Sequence, residues 1–158
     1  MSESQGLPVS LEVQFLGGLS DSNPRPTANM CSPGTHIKYQ GKFYDSHRIN
    51  SSSPTFDGAQ WITVEALVLG SDRIVHCVNG DAVIQYANPP YGGVVSGYRR
   101  EIKLNGELVA SGYIALQSES HPIQFRRVAL LNLKGCMNPK AGNYKSYFVE
   151  PNTDSCKF

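Results

Sequence analysis

Asn79-Gly80 lies between two apolar-rich runs in RIVHCVNGDAVIQYA, and this pair restricts the fold more tightly than any other feature of the chain. Both residues tolerate the positive φ angles of a tight type I′ turn, so the flanking runs are expected to fold back on each other as a β-hairpin. WITVEALVLG, just before it, also reads as a strand. HIKYQGKFYD suggests a shorter hairpin turning at Gly41, and EIKLNGELVASG another around Asn105-Gly106. In LPVSLEVQFLGG, Val9, Leu11, Val13 and Phe15 share one side, while Ser10, Glu12 and Gln14 share the other. That alternation is the signature of a strand with one face on a core.

No segment sustains a helical period. Charged residues make up only 17% of the chain, whereas Gly (15) and Pro (10) are frequent, a mixture that favours short strands joined by turns. The 158 residues suffice for one domain with a real core. Fourteen basic and thirteen acidic residues nearly cancel, and no basic run stands out, which argues against a phosphate-binding nucleic-acid partner. No apolar run is long enough to span a bilayer, and MSESQGLPVS has neither the basic nor the apolar part of an export signal.

Leu19–Thr35 and RINSSSPTFDGAQ, rich in Pro, Ser and Asn, read as two long loops. GYIALQSESHPIQFRRVALLNL, residues 112–133, reads as two further strands with polar residues along one face of each. The expected architecture is an all-β sandwich over residues 1–134. Residues 135–158 form a Cys-bounded extension too poor in apolar residues to hold itself together by burial. A Cys136–Cys156 disulfide would contribute about 3 kcal/mol there and imply an oxidising compartment; two free thiols are the alternative. Cys77 alternates with His76 and reads as a small core residue. Cys31 is either free or paired with Cys77.

In order and spacing, the Trp-led strand, the strand ending in VNG, Gly-Tyr-Ile-Ala-Leu-Gln and Pro-Ile-Gln-Phe-Arg resemble the 3-keto-disaccharide hydrolase domain, also called domain of unknown function 1080. SLEVQFL resembles that family's Glu-x-Gln strand. The resemblance implies a concanavalin A-like jelly-roll β-sandwich in an exported protein, secreted or periplasmic, that processes 3-keto-glycosides. The tail, GCMNPKAGNY…C, is similar to short segments of secreted bacterial proteins. Family members carry further strands ahead of the Glu-x-Gln strand, so this chain is expected either to be a truncated or compact variant or to have a sheet edge that a second copy of the chain would cover. Arg127 and Ser120 stand where the family usually has Asn and Gly.

A sugar site needs convergent amides and carboxylates beside aromatic platforms. Strand alternation puts Glu12 with Gln14 and Gln124 with Arg126, while Gln117 ends the adjoining strand and Glu119 and His121 occupy the turn. If these strands adjoin, their polar sides form the floor of one pocket. The carbonyl of a 3-keto sugar acidifies C2–H. Glu12 or Glu119 would then be the base, His121 the acid at the leaving group and Arg126 the stabiliser of the developing oxyanion. Gln14, Gln117 and Gln124 would bind hydroxyls, and Trp61 and Tyr98, with Tyr39 and Tyr44, would offer stacking faces.

Each residue also has a plainer reading: Glu12 as a solvated strand residue, Arg126 as its surface ion-pair partner, His121 as a turn residue and Trp61 as core. The four histidines and four cysteines lack zinc-ligand spacing, so no zinc site is expected. Asp21, Asp45, Asp57 and Asp72 lie in loops, but no twelve-residue calcium-loop pattern joins them, and no cofactor is implied. The alternative in a different class is a non-catalytic carbohydrate-binding module of the same fold.

Overall fold

The computed structural model describes residues 9–44, 46–92, 106–118 and 121–158. Ten strands run through them: β1 (Glu12–Gln14), β2 (Asn29–Cys31), β3 (Ile37–Tyr39), β4 (Lys42–Tyr44), β5 (Arg48–Ile49), β6 (Val64–Leu69), β7 (Arg73–Val78), β8 (Asp81–Tyr86), β9 (Lys134–Gly135) and β10 (Glu150–Pro151). The only helical element among them is a 3-10 turn at Thr153–Ser155. The fold is therefore all-β, as the composition and alternation predict. The chain divides into two compact units, Met1–Tyr113 and Ile114–Phe158.

In the first unit the antiparallel sheets β1-β2-β5 and β6-β7-β8 supply a common core, the arrangement expected of a jelly-roll sandwich. Met30 and Ile49 from one sheet pack with Ile74, Ile84 and Tyr86 from the other, and Ile37 of β3 completes the cluster. Leu11 and Tyr39 pack against its margin. Each fully buried side chain of this size contributes roughly 1.5–3 kcal/mol relative to exposure. Val13 pairs with Met30 and Met30 with Ile49, so these three share the core face, while Glu12 and Gln14 point to the other side. The sequence alternation in β1 had the correct phase.

Two hairpins form where the turn chemistry places them. Asn79 and Gly80 have φ of 52° and 93°, and Gln40 and Gly41 have φ of 48° and 80°. These are the paired positive angles that a two-residue I′ turn requires. Lys38 and Ala87 exchange backbone hydrogen bonds of 2.8 and 2.9 Å, which ties β3 to the end of β8. Asn105 of the third hairpin lies outside the described residues.

Three expectations need correction. Leu19–Thr35 is not all loop, since it contains β2, the central strand of its sheet. RINSSSPTFDGAQ likewise opens with β5. Both strands are too short for periodicity to register, and side-chain bonds fix them instead. Asn29, fully buried, accepts from the Ser51 N–H at 2.9 Å and donates to the Pro26 carbonyl at 3.0 Å. The Ser51 hydroxyl donates to the Thr27 carbonyl. Next, His76 rather than Cys77 occupies the core position of β7: His76 is buried and Cys77 half-buried.

Finally, the described part of residues 112–133 forms no ladder. Tyr113, Ile114, Val128 and Leu130 stay largely exposed there. Alternation creates a surface suited to a sheet, but a strand forms only where a regular ladder of backbone bonds does.

The second unit is tied by the Cys136–Cys156 disulfide, with Cα atoms 4.9 Å apart, as expected from the tail. Cys31 and Cys77 are both free. β9 and β10 pair in parallel, and Lys134 forms an ion pair with Glu150 across them. Asn143 donates to the Ser155 carbonyl and accepts from the Lys157 N–H, closing the C-terminal turn. Phe148 lies flat on Gly135, where an added Cβ would come within 2.3 Å of the ring.

Candidate functional site

The outer side of the β1-β2-β5 sheet is polar, and its register explains why. Glu12 stands opposite Cys31, and Cys31 opposite Arg48, which makes one row across three strands. Gln14 stands opposite Asn29 in the next row. Directly opposed residues have Cβ atoms about 5 Å apart, so Glu12 and Arg48 begin about 10 Å from each other.

The Ser10 hydroxyl donates to the Glu12 carboxylate at Oε1, at 3.1 Å. Burial, and then the adjacent carboxylate, push the Cys31 thiol up to about 12. It therefore stays protonated, with no thiolate available for nucleophilic attack. Gln14 Oε1 is buried and has no hydrogen-bond partner among the described residues. A buried acceptor left unpaired costs about 1–3 kcal/mol.

Beyond Arg48 the sheet runs into a hollow of about 610 Å³ lined by Tyr44, Ser46, His47, Arg48, Ile49 and Asn50. The Ser46 hydroxyl donates to the Arg48 carbonyl at 3.0 Å, and the His47 carbonyl accepts from the Ser32 N–H at 2.7 Å, so the rim is tied to β2. Tyr44 packs edge-on against Tyr39, with ring centroids 5.8 Å apart. A second hollow, of about 450 Å³, lies at Lys38, Gln40, Gly41, Gln85, Tyr86, Ala87 and Asn88, and carries no carboxylate.

Of the residues expected from sequence, Glu12 and Gln14 share one face of β1. Trp61 lies exposed in the loop before β6, away from the core position that a strand start would suggest. Gln117, His121, Gln124 and Arg126 belong to the second unit and are exposed in non-strand segments. There the Ser118 hydroxyl donates to the His121 carbonyl at 2.6 Å. Glu119 and Tyr98 lie outside the described residues. Cys31 and Arg48 were missed because their segments read as loops. The signal that could have found them is the alternation of Ala28 and Met30 with Asn29 and Cys31. No group of three or more His, Cys, Asp or Glu side chains suited to a metal occurs among the described residues, and no helix there is long and apolar enough to cross a membrane.

A family model described as the 3-keto-alpha-glucoside-1,2-lyase-like domain matches residues 1–131. No curated protein and no solved structure matches the chain.

Proposed function

Because the chain belongs to the 3-keto-alpha-glucoside-1,2-lyase-like domain family, we propose that it cleaves 3-keto-α-glucosides by elimination, with Glu12 as the base. The carbonyl at C3 makes the C2 proton acidic, since the resulting anion delocalises onto O3. Glu12 takes that proton, and the electron pair of the C2–H bond enters the enolate. Collapse of the enolate forms the C1=C2 double bond and breaks the bond from C1 to the leaving-group oxygen. That oxygen takes a proton from water as it leaves, and O3 carries the enolate charge until the double bond forms. The products are an unsaturated 3-keto sugar and the free alcohol; addition of water across the double bond makes the net reaction a hydrolysis.

The observation that carries this reading is the polar row on β1 and β2. Glu12 sits on a strand with its carboxylate held by the Ser10 hydroxyl, and Gln14 shares its face of β1. A base held on a regular element by a donor is positioned before substrate arrives, and this lowers the cost of reaching the transition state. Gln14 is assigned to a sugar hydroxyl, and Trp61 to the apolar face of the ring.

The Cys136–Cys156 disulfide supports a secreted or periplasmic location. Self-association would use β6, a six-residue strand that pairs with β7 on one side only among the described residues. The test is incubation with methyl 3-keto-α-glucoside, monitoring released methanol and the ultraviolet band of the unsaturated ketone. Release with the band supports elimination. Saturable binding without release would instead make the protein a carbohydrate-binding module.

A further inference from the structure

The polar row does not end at the base. It continues through Cys31 to Arg48 and opens into the hollow lined by Tyr44, His47 and Asn50. We propose that this hollow receives the leaving group, and that Arg48 is a specificity-determining residue favouring a second sugar ring there. The inference rests on the elimination reading above, which fixes only where the C2 proton is removed.

The spacing supports it. Glu12 acts at C2, and the leaving group departs from the adjoining carbon, so the second ring of a disaccharide lies one ring beyond the scissile bond. Two strand steps, about 10 Å, separate the bases of Glu12 and Arg48, which matches that reach. The chemistry supports it as well. A guanidinium offers paired N–H donors that suit two neighbouring hydroxyls. Asn50, two residues along the chain, adds an amide that both donates and accepts.

Tyr44, 41% exposed, has an apolar ring whose tilt is set by its edge contact with Tyr39, and such a ring can cover the C–H face of a sugar. The bond from Ser46 to the Arg48 carbonyl, together with the Ser32–His47 bond, holds the backbone of this rim, so the donors are presented from a fixed frame. The 450 Å³ hollow at Lys38–Asn88 has no comparable continuity with Glu12, because its residues belong to β3, β8 and their turns.

The test compares two probes on the full chain, methyl 3-keto-α-glucoside and maltose oxidised at C3 of its non-reducing ring. Arg48→Ala is expected to lower kcat/KM for the disaccharide roughly ten- to a hundred-fold more than for the methyl glycoside, the loss expected for a charge-assisted hydrogen bond. Arg48→Lys should recover part of that preference, because it keeps the charge and loses the paired geometry. Equal effects of Arg48→Ala on both probes, with the wild type cleaving both, would overturn the leaving-group assignment and leave the elimination reading standing. If the wild type cleaves neither probe, the elimination reading fails and the assignment falls with it.

Discussion

Acid should loosen the first unit through His76, and the size of the effect follows from its surroundings. The ring is 1% exposed, stands opposite Ile84 across the β7–β8 pair and meets Tyr86 edge-on, with ring centroids 5.3 Å apart. Its Nδ1 is 2.9 Å from the Ala28 carbonyl and its Nε2 is 3.0 Å from the Tyr86 hydroxyl. A carbonyl only accepts, so Nδ1 carries the proton and Nε2 accepts from the Tyr86 O–H. A second proton on Nε2 would point at the Tyr86 oxygen, turn that hydroxyl out of its bond and place a charge in an apolar core.

Burial therefore holds His76 below its usual value of 6.5, opposed in part by the Ala28 hydrogen bond. In the unfolded chain His76 protonates near 6.5, while the folded state resists until lower pH. The unfolded state thus binds more protons in that window. The stabilisation is fully present above about pH 6.5 and is lost as pH falls, with a slope of at most about 1.4 kcal/mol per pH unit. Urea unfolding at several pH values between about 5 and 8 measures this. His76→Gln, which cannot titrate, is expected to cost about 1–3 kcal/mol at neutral pH and to remove this part of the acid slope. Parallel acid slopes in the wild type and His76→Gln would refute the reasoning.

The Cys136–Cys156 disulfide closes a span of 20 residues, so opening it should cost the second unit about 3 kcal/mol. Limited proteolysis of Cys136→Ser/Cys156→Ser should show faster cutting within 136–156; cutting at the wild-type rate would mean that the Asn143 hydrogen bonds hold the tail alone. Cys31, with its thiol pushed up to about 12, should resist iodoacetamide in the native protein at about pH 8 and react readily in urea, while half-buried Cys77 reacts first. Peptide mass mapping reads both sites, and equal native rates would contradict the buried, protonated thiol.

The readable parts of the sequence were those in which local chemistry alone decides the structure. Asn79-Gly80 and Gln40-Gly41 required positive φ, and both became hairpin turns. Leu11 and Val13 alternated with Glu12 and Gln14, and the sheet kept that phase. The two Cys residues of an apolar-poor tail formed the bridge expected of them. What stayed hidden depended on distant partners. β2 and β5 span only three and two residues, so no period could mark them, and Asn29 becomes structural only through Ser51 and Pro26.

The same limit applied to the site. Glu12 and Gln14 were found by their own alternation, whereas Cys31 and Arg48 join them only through strand register. Residues 112–133 show the converse: their alternation is clear, yet it produced no strand among the described residues.

Isotope exchange tests directly the proposed removal of the C2 proton of a 3-keto-α-glucoside by Glu12. In deuterated water, methyl 3-keto-α-glucoside recovered early in the reaction should carry deuterium at C2 with the wild type. Glu12→Gln should slow both that incorporation and methanol release by about a hundred-fold or more, while binding the sugar with similar affinity. Glu12→Gln that exchanges and eliminates at the wild-type rate would contradict the assignment of Glu12 as the base.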